Sequence, residues 1–417
     1  MHNGRMKSPK MIVRNVVAVS LTLFASACGQ EAASPQFDPQ ISRLPSIDVV
    51  GSFAPSLSQG PDDSVVMSWI EPSGEGHALR FSVLEEHGWS ERRTVASGDN
   101  WFVNWADFPS VVPISDELWG AHWLVRQPAG GYAYDVNLSL SHDKGDTWSD
   151  PMLAHTDNTE AEHGFVSMYP QGDGFGFVYL DGRKQVNEYT EDPNETGMTL
   201  RAATVTTEGV LEDQQLLDSL ICDCCQTDVA MTSEGPIAIY RNRTEQEIRD
   251  IYVTRRVDGQ WTEGTPINND GWEIPGCPVN GPEIVANGDD VVVAWFTAAN
   301  GEPKVKFVRS TDSGRTFSAP IDIAAGGTVG HVGMAVDSNG DAWIVWQTPA
   351  GDGEVKLTMR RVSATNQMSP LHTYTAKGEV AAFSVPQIKA QGDRLILAWT
   401  EGEYGKTRII TAEMQVP

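Results

Sequence analysis

The chain has 417 residues, with 30 Lys or Arg against 56 Asp or Glu, a formal charge of −26. A surface this acidic repels nucleic acid and anionic membranes, so nucleic acid is not expected as a partner. The length exceeds that of an ordinary single domain unless the architecture is a barrel or a ring of repeats.

The first segment carries an address. Arg5, Lys7, Lys10 and Arg14 stand in a stretch of 27 residues with no acid, followed by an apolar run from Val16 to Phe24 and then Ala25-Ser26-Ala27-Cys28. That order describes a secretory signal, too short to be a permanent membrane span. The small residues before Cys28 resemble a bacterial lipobox, which implies cleavage after residue 27, lipidation of Cys28 and contact with the membrane through the lipid anchor only. Gly29 resembles the outer-membrane sorting pattern, which implies a cell-envelope location facing periplasm or cell surface. Residues 28–41, rich in Gln, Ala, Ser and Pro, read as a flexible tether, and residues 42–417 as one domain. Loss of the four basic residues takes the charge to about −30.

From there the chain repeats itself. Apolar runs end in a large aromatic at Trp69, Trp123, Tyr179, Tyr240, Trp295, Trp346 and Trp399, spaced 51 to 61 residues apart. About ten residues before each run lies another short strand, as at Ala54, Phe108, Gly164, Gln226, Gly281, Gly330 and Val385. A third strand with alternating pattern follows the aromatic, as from Ala78, Lys304 and Glu354, and some repeats show a fourth, as from Trp89 and Phe317. Four short antiparallel strands per unit, joined by Gly, Asp and Pro turns, predict an all-β chain: a single β-propeller of seven blades. The last unit ends after its third strand near Met414, so the segment from Ile41 to Val50 is expected to supply the missing outer strand and close the ring. The recurring aromatics are then packing between blades, because a lone blade cannot bury both faces.

Two turns are more specific. Ser141-His142-Asp143-Lys144-Gly145-Asp146-Thr147-Trp148 and Ser310-Thr311-Asp312-Ser313-Gly314-Arg315-Thr316-Phe317 both fit S-x-D-x-G-x-T-[W/F]. This resembles the Asp box of the sialidase (BNR-repeat) superfamily, whose propellers usually have six blades, so six is the alternative count. The resemblance implies a structural role for these turns on the face opposite the active site. It also implies a glycoside hydrolase if the chain is an enzyme, with three arginines gripping a carboxylate, a Tyr–Glu nucleophile pair and an Asp acid. The place of the first such arginine reads Phe53-Ala54-Pro55-Ser56, without one; Arg241 or Arg243 matches another, and the nucleophile pair finds no match.

Propeller topology places the loops leading into innermost strands and the loops leaving second strands around one mouth of the central channel. The first set brings Asp107, His163, Cys222, Cys224, Cys225, Cys277 and His331; the second brings Glu71, Arg126, Asp181, Arg183, Arg241, Arg243 and Glu401. Asp107 and Asp181 are candidate acid/base groups there, with Arg241 and Arg243 as oxyanion-gripping partners in catalysis. Arg183, His163 and His331 are candidate substrate-binding residues. Cys222, Cys224, Cys225 and Cys277 fit two readings: a pair of disulfides, or a thiolate site for copper or zinc completed by His163 or His331. Three functions follow. One is an exported monomer that acts on or binds an extracellular glycan or other small ligand. Another is a metal-binding or redox lipoprotein centred on the cysteines, and a non-enzymatic envelope scaffold is a third.

Overall fold

The computed structural model describes residues 40–45, 47, 49–185, 196–351, 354–374 and 380–416; Cys28 and the leader lie outside them. Seven antiparallel sheets stand around a central cavity of about 390 Å³. The count is seven blades, not six.

Innermost strands are Phe53–Gln59, Ser110–Pro113, His163–Gln171, Asp228–Thr232, Glu283–Asn287, Gly330–Val336 and Gln387–Gln391. Each pairs with a second strand that carries the repeated aromatic; Val65–Ser73 with Trp69 and Asp290–Thr297 with Trp295 are examples. These second strands are buried on both faces, which is why their sequences are continuous apolar runs rather than alternating ones. Third strands alternate, as Lys304–Ser310 does, because one edge of the blade meets water. Outer strands vary most, from two residues at Met152–Leu153 in blade 2 and Thr265–Pro266 in blade 4 to eleven at Leu211–Ile221 in blade 3.

The cores lie between blades. Leu138 and Leu140 of blade 2 pack with Phe175 and Phe177 of blade 3, and Phe307 of blade 5 packs with Met334 and Trp346 of blade 6. Trp69 and Val65 of blade 1 meet Ile396 and Ile409 of blade 7 across the closure. Ile41–Arg43 joins blade 7 antiparallel to Arg408–Gln415, with Ile41 opposite Met414, and Arg43 reaches Glu401 at 2.7 Å. The first segment of the domain thus completes the last sheet, as the sequence predicts.

The two S-x-D-x-G-x-T turns follow third strands and so face away from the mouth. Asp143 accepts from the Thr147 N–H at 2.8 Å and from its hydroxyl at 2.6 Å, while Ser141 Oγ accepts from the Gly145 N–H. Asp312 and Ser310 repeat the pattern. Gly145 and Gly314 have φ of +84° and +74°, which side chains disfavour, and Trp148 packs edge-on to Phe81 beneath its turn.

At the mouth the innermost strands of blades 1, 3 and 6 each open with a shift in register and a residue at positive φ: Ala54, Phe165 and His331. In two of them an acceptor from a preceding blade offsets the strain. Asp107 Oδ1 takes the Phe165 N–H at 2.7 Å, and Asn280 Oδ1 takes the His331 N–H at 2.7 Å. Asp107 and Asn280 therefore hold equivalent scaffold positions.

Candidate functional site at the channel mouth

Several predicted site residues serve the scaffold. Glu71 accepts from the Trp69 indole and pairs with Arg80, and Glu401 accepts from the Trp399 indole and pairs with Arg43. His331 is buried against Gln347 and Trp105, and burial lowers its pKa. Arg126 lies over the Phe102 ring.

Arg241, the last residue of the strand Gly235–Arg241, is 2% exposed. Its guanidinium donates to the carbonyls of Asn280 (3.0 and 2.9 Å), Phe296 (2.8 Å) and Arg249 (2.6 Å) and lies over the Trp272 ring. Four of its five N–H groups are spent on backbone carbonyls, so it fixes the blade 4–blade 5 connection rather than reaching out to a ligand. Arg243, half-buried at the rim, pairs with Glu247 at 2.5 Å.

Asp181 and His163 belong to a separate buried ion cluster between blades 2 and 3. Arg183 clasps Asp181 through Nε and Nη2 and also reaches Asp157 at 3.5 Å. Burial favours the neutral Asp181, but Arg183 outweighs it and lowers the pKa. His163 spends Nε2 on Asp157 and Nδ1 on the Ala161 and Tyr134 carbonyls, and its ring stacks on His155 at 3.7 Å. Burial opposes a charge on His155, yet Asp135 and Asp157 outweigh it and raise the pKa to about 9. Two imidazoles stacked in parallel cannot both aim in-plane lone pairs at one ion, and Arg183 already supplies the positive charge beside Asp157 and Asp181. Asp181, Arg183 and His163 are drawn together here, away from the thiols.

Asp107 is 2% exposed and its second oxygen, Oδ2, meets the Tyr134 hydroxyl at 2.7 Å. The same hydroxyl lies 3.0 Å from Oε1 of Glu162. Burial pushes the Asp107 pKa to about 7. Burial also pushes Glu162 to about 8, helped by the charges of Asp107, Asp223 and Cys277. A phenol has one proton to give. Tyr134 can donate it to only one of the two carboxyls, so for both contacts to be hydrogen bonds the other carboxyl must bring a proton. Glu162 was missed in the sequence because nothing local separates it from Glu160. The fold selects it, through the parallel bridge that sets Tyr134 against Glu162.

The cysteines converge as expected. Cys222 Sγ lies 2.8 Å from Cys225 Sγ and 3.8 Å from Cys224 Sγ, and the three sulfurs lie within 4.8 Å of one another. Cys277, on the loop leading into blade 5, interacts with Cys224, and all four are free thiols. Neither His163 nor His331 is in this group. Arg249 Nη1 donates to Cys222 Sγ at 3.4 Å and is held by Asp223 and Glu247. Burial disfavours the Cys222 thiolate, but bonds from Cys224 and Cys225 and the charge of Arg241 outweigh it, holding that pKa well below the usual thiol value. Gln226 ties the neighbourhood together, donating to the Ala106 carbonyl of blade 2 and accepting from the Gly281 N–H of blade 5. The charge of Cys277 acts on Glu162, so the loop into blade 5 comes near the half-buried end of the acid trio.

No protein-family model matches the chain, and no curated protein matches it. Among solved structures, a Dyadobacter fermentans protein of unknown function is 11% identical with TM-score 0.48, over 92% of this chain and 99% of that one. The Trypanosoma rangeli sialidase in complex with 2,3-difluorosialic acid is 13% identical with TM-score 0.49, over 86% of this chain. Hadza microbial sialidase Hz136 is 12% identical with TM-score 0.45, over 87% of this chain and 65% of that one. The ring is similar to those of sialidases. At these identities the likeness is one of fold, and the chain spans 59% of the length of the Trypanosoma protein.

Proposed function

We propose that the channel mouth binds an extracellular carbohydrate and that Glu162 donates a proton to its glycosidic oxygen. The observation that carries this reading is the Tyr134 hydroxyl held between Asp107 and Glu162 at the mouth. The scaffold at this position needs one acceptor, and Asn280 shows that an amide suffices; Asp107 brings a second oxygen, which is spent on Tyr134. Glu162 is the half-buried member of the trio, and its retained proton suits a general acid at neutral pH. Arg243, at the rim, suits a carboxylate or sulfate on the sugar.

Export and lipidation at Cys28 accord with such a substrate and would hold the propeller at the cell envelope. The test is a panel of fluorogenic glycosides beside a glycan array. Turnover is expected to fall by about 10²-fold or more in Glu162→Gln, with the melting temperature unchanged. Silence of the wild type on both panel and array would remove the reading.

A further inference from the structure

We propose that Cys222, Cys224 and Cys225, closed by Cys277, form a binding site for a thiophilic d10 cation, zinc or copper(I). This stands independently of the carbohydrate reading. The sulfurs of Cys222, Cys224 and Cys225 all lie within 4.8 Å of one another, close enough to ligate a single ion. A metal–sulfur distance of about 2.3 Å sets neighbouring ligands about 3.8 Å apart in tetrahedral geometry. Cys222 and Cys224 already stand at 3.8 Å, and an ion would part Cys222 from Cys225 by about 1 Å.

Charge supports the site. A zinc tetrathiolate or a copper(I) trithiolate carries net charge near −2, which a protein interior accepts only beside cations. Two guanidinium groups supply them. Arg249, with its side chain 4% exposed, donates directly to Cys222. Arg241 is also buried, one residue pair away through the backbone bond from Cys222 to its carbonyl, and among the described residues no carboxylate pairs with it at ion-pair distance. A buried guanidinium without a carboxylate, in a chain with nearly twice as many acids as bases, lacks a counter-charge that an anionic metal–thiolate complex would provide.

The four sulfurs are also graded in access. Cys222 and Cys225 are 1% and 2% exposed, Cys224 is intermediate and Cys277 is exposed. The ion therefore approaches from the mouth, past Cys277, and is held at depth by the buried pair. The loops that carry the thiols are tied to the frame: the Cys222 N–H donates to the Arg241 carbonyl, and Asp250 accepts from the Gly271 and Trp272 N–H groups on the loop that carries Cys277.

The test uses the whole chain, purified reduced and without chelator, and titrated separately with zinc chloride and with copper(I) buffered by bathocuproine disulfonate. One equivalent of at least one ion is expected to bind and to protect the thiols from alkylation. Affinity should fall more than 100-fold in Cys222→Ser or Cys225→Ser, and about 10- to 100-fold in Arg249→Gln. Cys277→Ser separates the ions: release on this change marks a four-sulfur zinc site, retention a three-sulfur copper(I) site. Thiol protection is read on the wild type, so a misfolded variant does not remove the test. Alkylation of all four thiols at one rate with and without either ion would overturn the proposal. So would stoichiometric binding that survives loss of Cys222, Cys224 and Cys225 together.

Discussion

Replacing Arg241 by methionine separates a scaffold arginine from a ligand-gripping one. The guanidinium donates to three carbonyls, those of Asn280, Phe296 and Arg249, and caps the Trp272 ring. Methionine fills much of the stem volume but leaves those acceptors without their donor. At about 1–3 kcal/mol for each buried acceptor left unpaired, less the relief of removing a buried charge, the net loss is about 4 kcal/mol. Unfolding entropy of about 2 cal/mol/K per residue, over a propeller of this size, converts that into a fall in melting temperature of about 5 °C. Scanning calorimetry on wild type and Arg241→Met measures it. Arg241→Lys should recover only part of the loss, since an ammonium cannot fork to carbonyls on separate loops. A melting temperature within about 1 °C of wild type, with ligand affinity lost, would refute the scaffold role and return Arg241 to the ligand site.

Three further outcomes are expected. His155 gains Asp135 and Asp157 on folding and titrates near 9 in place of 6.5, with Arg183, Asp181 and the stacked His163 around that pair. Its contribution is fully present below pH 6.5 and is lost as pH rises through 9; about 3 kcal/mol, or roughly 4 °C, should disappear between pH 6 and 10, and Asp157→Asn should flatten the profile. Asp107→Asn should cost under about 1 kcal/mol, because an amide caps the equivalent His331 N–H, whereas Gly164→Ala should cost about 1–3 kcal/mol by forcing a methyl to 1.8 Å from Asp107 Oδ2; urea denaturation compares the two. Deleting the chain through Arg43 should bare the edge of Arg408–Gln415 and yield dimers or aggregates in size-exclusion chromatography.

How far the fold was legible follows from burial. Second strands lie between two blades, so nearly every side chain must be apolar, and Val65–Ser73 or Arg394–Glu401 stands out in sequence. The outer strands escaped because water bathes them: Thr265–Pro266 carries no pattern, and the fourth strand of blade 1, Arg93–Gly98, begins several residues after Trp89, where its run was expected. Topology alone placed the cysteines together, since their loops lead into adjacent blades. It could not tell which mouth residues the scaffold would consume. Arg241, Glu71 and Glu401 have the chemistry of a site and the contacts of a frame. Glu162 and Tyr134 had no signal, because their partnership spans blades 2 and 3 and depends on one parallel bridge.

Repetition supplies a way to tell the two kinds apart. Where blades share a structural task, the residue doing it in one blade states the minimum chemistry the task needs. Asn280 sets that minimum for the cap of a strained strand start, and Asp107 exceeds it by an oxygen directed to Tyr134. In the loops leading into blades 4 and 5 the surplus is sulfur: Cys222, Cys224 and Cys225 turn their side chains on one another. Both surpluses occur in the arc from blade 2 to blade 5, and Gln226 binds that arc together by bridging the loops of blades 2 and 5. A change at Gln226 should therefore loosen both at once. Gln226→Ala is expected to weaken metal protection of the thiols and to shift the titration of Glu162 in the same protein, while Gln387→Ala, across the channel, should alter neither.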